Sequence, residues 1–335
     1  GERVGALENI VAGAAANLVA PAVLFFALGA VAGWLKSDLT IPEQAAKTLA
    51  LYLMLCIGFK GGVEARASGL AAELVSAGGF GLVLSFAAPF AAYAALRSFG
   101  GLARVTAAAT AAHYGSVSVV TFAAGSEYLR AIGVEFGGYM AAVLALMETP
   151  AILAALLIAG APGRTQSSAQ SARVKPTLWR EVFLNGAAVV LIGSFVIGVM
   201  SGERGMARLD LFVNALFQGA LCLFLLDMGL VAARRLAEAP KLNVPLIAFA
   251  IGWPLLSASV ALPGARALQL SLGDASLLAV LAASASYIAA PAAMRIALPK
   301  ADAGIYLSLS LGVTFPFNLL IGIPLYHAAA RLFYG

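Results

Sequence analysis

Charged residues are scarce in this chain. Only 11% of its 335 residues are Asp, Glu, Lys or Arg, whereas 61% are hydrophobic, and the mean hydropathy is +0.93. A soluble domain of this length has about a quarter of its residues charged, because its surface must be covered. The composition therefore excludes an ordinary soluble domain and indicates an integral membrane protein.

Histidine and cysteine are also rare, with two of each. Cys56 and Cys222 both lie in apolar runs, which is typical of packed small side chains and not of a disulfide or metal framework. The sequence contains no Walker loop, no nucleophile elbow and no His/Cys cluster with metal-ligand spacing. We therefore expect neither an ATP-driven pump nor an enzyme, and no cofactor apart from sodium as a coupling ion.

Long apolar runs recur along the whole chain, and each reaches the roughly 20 residues that a bilayer span requires. They do not alternate between apolar and polar residues as barrel strands do. Because a helix bonds its own backbone polar groups inside lipid, the runs are predicted to be helices. The ten predicted spans are 10–35, 43–64, 71–97, 104–127, 136–160, 182–202, 208–233, 242–264, 274–296 and 304–331.

A single clearly polar stretch, rich in Ser, Gln, Gly and Pro, divides the chain into two halves. We expect a first half at 1–162, a linker at 163–181 and a second half at 182–335. The loops on the linker side carry more Lys and Arg than the loops on the other side. The positive-inside rule then places the linker in the cytoplasm and both termini outside a bacterial inner membrane.

The two halves share short motifs in the same order. The matching pairs are CIGFKGGVEAR (56–66) with FLLDMGLVAAR (224–234), GSVSVV (115–120) with ASASYI (283–288), and METPAIL (147–153) with VTFPFNL (313–319). Since each half has five spans, an odd number, the second half must enter the membrane from the opposite side. This pattern predicts an inverted repeat, as found in transporters that work by alternating access. The alternative is chance similarity between Gly-rich apolar segments.

The fourth and ninth spans each contain a cluster of small polar residues near mid-span. Glycine, repeated Ser and, in the ninth span, a following Pro291 are typical of a helix that unwinds and restarts. A restarting helix offers free N–H groups and the positive end of its dipole, so two such ends predict an anion site. The alternative is tight packing of small residues between helices. The predicted anion-binding residues are Gly115, Ser116, Val117, Ser118, Ser284, Ala285, Ser286 and Tyr287.

Glu148 is an acidic residue in the middle of the fifth span, two residues before Pro150. A charge inside the membrane is costly and therefore indicates function, here a cation ligand or proton carrier. The alternative is a structural, hydrogen-bonded carboxyl group. Thr314 and Asn318, beside a proline of the tenth span, are candidate oxygen ligands for sodium. The predicted cation-binding residues are Ser118, Thr121, Ser286, Glu148, Thr314 and Asn318.

These residues resemble the SbtA-type sodium-dependent bicarbonate transporter family along most of the chain. The resemblance is carried by IGFKGGVEAR (57–66), GSVSVVTF (115–122), METPAIL (147–153), AASASYIAAPAAMR (282–295) and IGIPLY (321–326). It implies an all-α membrane protein with ten helices in two inverted five-helix repeats, broken helices four and nine, and core and gate domains. It also implies a homotrimer that carries bicarbonate or a similar small anion inward with sodium, and a possible cytoplasmic PII-like regulator.

Carried over residue by residue, the resemblance implies that Ser116, Ser118, Ser284 and Ser286 form the anion and sodium site. The chain departs from the family's Ser-Ser-Ser-Asp pattern, because Tyr287 stands where the family has the acid. Two other functions remain open at this point. One is a cation/proton antiporter of similar helix plan, and the other is a non-transporting membrane sensor that binds a cytoplasmic partner.

Overall fold

The structure, a computed structural model, describes residues 17–69, 72–160, 186–237 and 242–334. Helices make up most of these residues, and no β-strand occurs among them. The helices are α1 Pro21–Trp34, α2 Glu43–Ser68, α3 Ala72–Ser98, α4 Arg104–Gly115, α5 Val119–Ala131, α6 Met140–Glu148, α7 Pro150–Gly160, α8 Gly186–Asp210, α9 Leu216–Ala237, α10 Val244–Ala267, α11 Leu272–Ala283, α12 Ala289–Ala297 and α13 Ala303–Tyr334. The predicted linker, 163–181, lies outside the described residues.

Six helical segments of the described ranges are long and apolar enough to cross a bilayer by length and composition. These are Glu43–Ala67, Ala72–Ser98, Met140–Gly160, Ala188–Ala237, Val244–Ala267 and Ala303–Tyr334. Two shorter apolar helices, α1 and α11, accompany them. The chain is thus a multi-pass helical membrane protein, in agreement with the fold class that the composition predicts.

The longest of these segments, with 50 residues, contains a change of direction. A straight helix of that length would extend about 75 Å, far beyond the roughly 30 Å of a hydrocarbon core. Gly202, with φ 56° and ψ −155°, interrupts the helical geometry. The sequence predicts a loop at 203–207, and this boundary is wrong because those residues are helical. The break falls on the glycine, which adopts a positive φ without strain.

Helices of the first half pair with helices of the second. The α1 helix packs along α9, and α2 packs along α8. A Cβ atom on Gly29 would lie 2.0 Å from the Leu226 carbonyl oxygen, and one on Gly62 would lie 2.0 Å from the Phe195 carbonyl oxygen. Glycine is therefore required where these backbones touch, since small residues allow the close packing that holds helices together in lipid.

The remaining helices surround the two interrupted spans. The α3 helix packs on α4, and α10 packs on α11, a pair of contacts at equivalent positions in the two halves. The α13 segment is continuous but π-helical at Ser308–Thr314 and Asn318–Gly322. These wider turns flank Pro316, whose ring and missing N–H disturb a regular α-helix. The interrupted spans therefore lie within packed helices.

The close contact between α2 and α8 generates a matched test. A Cβ atom on Gly198 would lie 2.2 Å from the Phe59 carbonyl oxygen, whereas Gly193 on the same helix has nothing within 4 Å. We expect Gly198→Ala to destabilise the fold by about 1–3 kcal/mol, because the helices must move apart. Gly193→Ala serves as the control and should leave thermal unfolding in detergent unchanged or slightly delayed. Equal stability of the two variants would contradict this packing.

Candidate functional site

The fourth and ninth spans are interrupted at equivalent residues. The α4 helix ends at Gly115, and Ser116 is extended, with φ −84° and ψ 165°. The α11 helix ends at Ala283, and Ser284 has almost the same backbone angles, φ −79° and ψ 163°. The two serines are 168 residues apart, the spacing that relates the motifs of the two halves. The helix therefore breaks at the same position of the repeated motif in each half.

The two breaks contact each other directly. The Ser118 N–H donates to the Ser284 Oγ at 2.9 Å, and the Ser286 N–H donates to the His113 carbonyl oxygen at 2.8 Å. The Ser284 hydroxyl in turn donates to the Leu281 carbonyl oxygen at 2.8 Å. Each break thus supplies hydrogen-bond partners that the other lacks, which lipid would not provide.

A serine hydroxyl accepts a hydrogen bond from the first turn of each helix that restarts after a break. The Ser118 Oγ accepts from the Thr121 N–H at 3.2 Å at the beginning of α5. The Ser286 Oγ accepts from the Ala290 N–H at 3.2 Å at the beginning of α12. The first N–H groups of a helix have no carbonyl partner within it, and the helix dipole adds positive potential there. Both amino-terminal ends are therefore suited to negative charge.

A small central cavity lies where these ends meet. Its volume is about 10 Å³, which is room for about one water molecule. The lining residues are Met54, Val117, Ser118, Val119, Glu148, Ser286, Tyr287, Ile288 and Ala289. Five of these were predicted as site residues, and they come from both breaks and from α6. The structure thus brings the two serine clusters and the acidic residue to one place.

Two polar atoms of this cavity are unpaired among the described residues. Glu148 is 3% exposed, and its Oε2 has no hydrogen-bond partner there. The Tyr287 hydroxyl approaches the Ser118 side chain, but it makes no hydrogen bond of acceptable geometry. Buried polar groups are almost always paired, so unpaired ones in a cavity are suited to a ligand. Ser116 supports this wall, because its hydroxyl donates to the Glu148 carbonyl oxygen at 2.9 Å.

Three other predicted residues pack around the cavity without lining it. A Cβ atom on Gly115 would lie 2.4 Å from the Pro89 Cγ, so glycine allows α4 to end against α3. Ala285 packs in an apolar cluster with Tyr114. Thr121 is buried on the first turn of α5. These residues fix the position of the breaks.

Thr314 and Asn318 lie on α13 and do not line the cavity. The Thr314 hydroxyl donates to the Ala250 carbonyl oxygen at 2.7 Å, and it accepts from the Tyr114 hydroxyl, also at 2.7 Å. The Asn318 amide donates to the Ala283 carbonyl oxygen at 2.8 Å, and its Oδ1 accepts from the Tyr326 hydroxyl at 2.6 Å. Both side chains therefore bond α13 to the ends of the broken spans, at Tyr114 and Ala283.

Sequence reasoning missed Met54 of α2, which forms one wall of the central cavity. It also missed the Trp253 indole, which donates to the Tyr114 carbonyl oxygen at 3.3 Å near the end of α4. Neither residue differs in type from its apolar surroundings, so the sequence carries no signal for these roles.

The bond between the two breaks can be tested by stability. Replacement Ser284→Ala removes the acceptor of the Ser118 N–H and leaves a buried donor unpaired, which costs about 1–3 kcal/mol. We expect a lower thermal unfolding midpoint in detergent. Ser259→Ala is the matched control, because that exposed hydroxyl bonds only within its own helix. A Ser284→Ala variant as stable as Ser259→Ala would contradict the role of this bond.

Comparison with known proteins identifies the family of the chain. No curated protein matches the chain at a significant level. A family model does match, over residues 21–331, which includes both helix breaks and every residue that lines the central cavity. Its description is the Na⁺-dependent bicarbonate transporter superfamily. The match spans nearly the whole chain, and the protein therefore belongs to the Na⁺-dependent bicarbonate transporter superfamily.

Proposed function

We propose that the protein is a secondary active transporter that carries bicarbonate, or a similar small anion, into the cell together with sodium. The observation that carries this proposal is the central cavity, where Ser118, Ser286 and Glu148 meet. Membership of the superfamily supports bicarbonate and sodium as the transported pair. An enzyme function has no support from the family.

The anion is proposed to bind at the beginnings of α5 and α12. Their first residues, Val119 and Ala289, line the cavity, so N–H groups and two positive dipole ends are directed to it. Its described lining contains no Lys or Arg. The positive potential is therefore modest, which suits an anion that must be released again. Serine hydroxyls provide further donors for a small oxyanion.

Sodium is proposed to bind beside the Glu148 carboxylate, the acidic side chain in the described lining of the cavity. Carboxylate oxygens are the ligands that hard cations prefer. Glu148 then provides the negative group at a site where Tyr287 stands in place of the family's Asp. A sodium ion about 4 Å from the anion would contribute roughly 4 kcal/mol of attraction at an effective dielectric constant of 20. This mutual attraction couples the two ions.

The size of the cavity supports alternating access. Bicarbonate has four non-hydrogen atoms and needs more room than the single water that the cavity holds. Met54 on α2 forms one wall, whereas the other walls come from the broken spans and α6. We therefore infer that the helices α1, α2, α8 and α9 act as a gate domain that separates from a core of broken helices.

The pairing of α1 with α9 and of α2 with α8 supports an inverted repeat, because exchange of the two halves converts one pair into the other.

The homotrimer, the cytoplasmic side of the linker and a PII-like regulator stay predictions. The linker, 163–181, lies outside the described residues, and a test of PII-like binding begins with variants in that stretch.

Reconstituted protein provides the test of the transport proposal. We expect proteoliposomes to take up radiolabelled bicarbonate when an inward sodium gradient is applied, and more strongly with a negative interior potential if more than one sodium ion moves with each anion. An equal potassium gradient should support no uptake above empty liposomes. Uptake that is independent of sodium would contradict the coupling, and no uptake would reject the substrate.

Replacement of Glu148 separates symport from antiport. We expect Glu148→Gln to raise the sodium concentration needed for half-maximal uptake by roughly 10- to 150-fold, because a charge-assisted ligand of roughly 1.5–3 kcal/mol is lost. Glu73→Gln, at an exposed acid, is the matched control. Pure cation/proton exchange by the wild type, lost in Glu148→Gln and recorded with a pH-sensitive dye, would favour the antiporter instead.

A further inference from the structure

A second small cavity, here called the side pocket, lies between α2 and α5. Its volume, measured in the same way as that of the central cavity, is about 20 Å³. Its charged and polar lining residues are Lys60 and Glu64 from α2 with Ser126 and Arg130 from α5. The central cavity, in contrast, has one acidic side chain and no basic side chain in its described lining. The side pocket therefore brings basic groups close to the central site.

The two cavities follow one another along the same pair of helices. On α2, Met54 lines the central cavity, and Lys60, about 9 Å further along the helix, lines the side pocket. On α5, Ser118 caps the beginning at the central cavity, and Ser126 lines the side pocket two turns later. The side pocket thus lies on the direct line from the central site to the end of α5 at Arg130.

Apolar side chains separate the two cavities. Ile57 and Phe122 both line the side pocket, each about one turn from the residues of the central cavity. Ile57 is 6% exposed and Phe122 is 3% exposed. An ion cannot cross this apolar level unless α2 and α5 move apart, because desolvating it there is costly.

Lys60 is the basic group of the side pocket that faces no close carboxylate. Its ammonium lies 4.9 Å from the Phe217 ring centroid. Among the described residues, no carboxylate oxygen lies within 4.0 Å of it. The nearby carboxylates instead flank Arg130, at 3.6 Å for Glu64 and 2.9 Å for Glu127. Lys60 therefore presents its charge to the pocket.

Contacts at the Arg130 end join the helices that flank the side pocket. The Arg130–Glu64 ion pair joins α5 to α2, and the Gln218 amide of α9 donates to the Glu127 carboxylate of α5. Backbone packing adds to this, since a Cβ atom on Gly138 would lie 2.4 Å from the Glu64 Cβ. These contacts limit how far α2 and α5 can separate at that end.

We propose that the side pocket is the entry subsite for the anion at the Arg130 end, and that Lys60 is a specificity-determining residue there. The Arg130–Glu64 ion pair and the Gln218–Glu127 hydrogen bond form the latch that opens and closes this subsite. The proposal rests on the proposed anion transport and on the predicted orientation, in which the loop between spans four and five lies outside with the two termini. It adds a second anion-binding position, outside the central cavity, where a small oxyanion is recognised by an ammonium group.

Charged thiol reagents test the subsite without any transport. The background is Cys56→Ala with Cys222→Ala, and the probe position is Ser126→Cys in full-length protein in proteoliposomes. We compare labelling by anionic sulfonatoethyl methanethiosulfonate and by cationic trimethylammonioethyl methanethiosulfonate, each normalised to its rate with free mercaptoethanol. We expect about a fivefold preference for the anionic reagent, because the Lys60 ammonium lines the same pocket as the probe position and attracts anions.

The preference should depend on the charge of Lys60. Lys60→Gln in this background should remove it, and Lys60→Arg should retain it. Lys47→Gln is the matched control, because Lys47 lies on the same helix but pairs with the exposed Glu43. Equal preference in the Lys60→Gln and Lys47→Gln proteins would overturn the proposal. Absence of labelling at Ser126→Cys and also at Ala141→Cys, a second lining position, would overturn it as well.

The latch has its own test. Gly138→Ala should force α2 away from the segment before α6 and speed labelling of Ser126→Cys several-fold, with the anionic preference unchanged. Gly79→Ala is the control, since a Cβ atom there meets nothing within 4 Å. Slower or unchanged labelling in Gly138→Ala would overturn the latch.

Transport then distinguishes this proposal from the proposed function. We expect Lys60→Gln to raise the KM for bicarbonate about fivefold and to leave the KM for sodium within about twofold. Unchanged bicarbonate KM in an active transporter would reject the role of Lys60 while the transport proposal stands. Anion-selective labelling in a protein that takes up no bicarbonate would reject the substrate while the charged subsite stands.

Discussion

The structure depends on the satisfaction of backbone polar groups where two helices are interrupted inside a membrane. Lipid offers no hydrogen bonds, so an irregular segment there is tolerated only when protein groups pair with it. The Ser118 N–H finds the Ser284 hydroxyl, and the Ser286 N–H finds the His113 carbonyl oxygen. Each break is therefore stabilised by the other, and the beginnings of the two restarting helices both line one cavity.

The other helices support the two helix breaks. Asn318 bonds the end of α11, and Thr314 with Tyr114 anchors α13 beside the end of α4. Gly115 allows α4 to end against Pro89. On the opposite side, α1, α2, α8 and α9 join through glycine contacts into a separate group of helices. The central cavity lies where Met54 of the second group meets the broken spans and α6.

Charge is distributed unevenly along that boundary. The central cavity has helix ends and one carboxyl group, whereas the side pocket has Lys60 and Arg130, with Glu64 and Glu127 beside Arg130. In the proposed transport cycle, a central site without a fixed cation would hold its anion mainly through the accompanying sodium ion. In the same proposal, Lys60 would meet the anion first, because it lies nearer the Arg130 end of α2 and α5.

The sequence by itself determined that the chain is a helical membrane protein, that two spans are interrupted, and that an acidic residue, Glu148, lies inside an apolar span. These are local properties: apolar length, Gly and Ser at mid-span, and an acid where charge is costly. Only the tertiary structure decided that Thr314 and Asn318 bond to neighbouring helices, that Met54 forms a cavity wall, and that the break near 203–207 falls on Gly202. These outcomes depend on which helices lie side by side, and contacts between residues far apart in the chain leave no periodic signal in a single sequence.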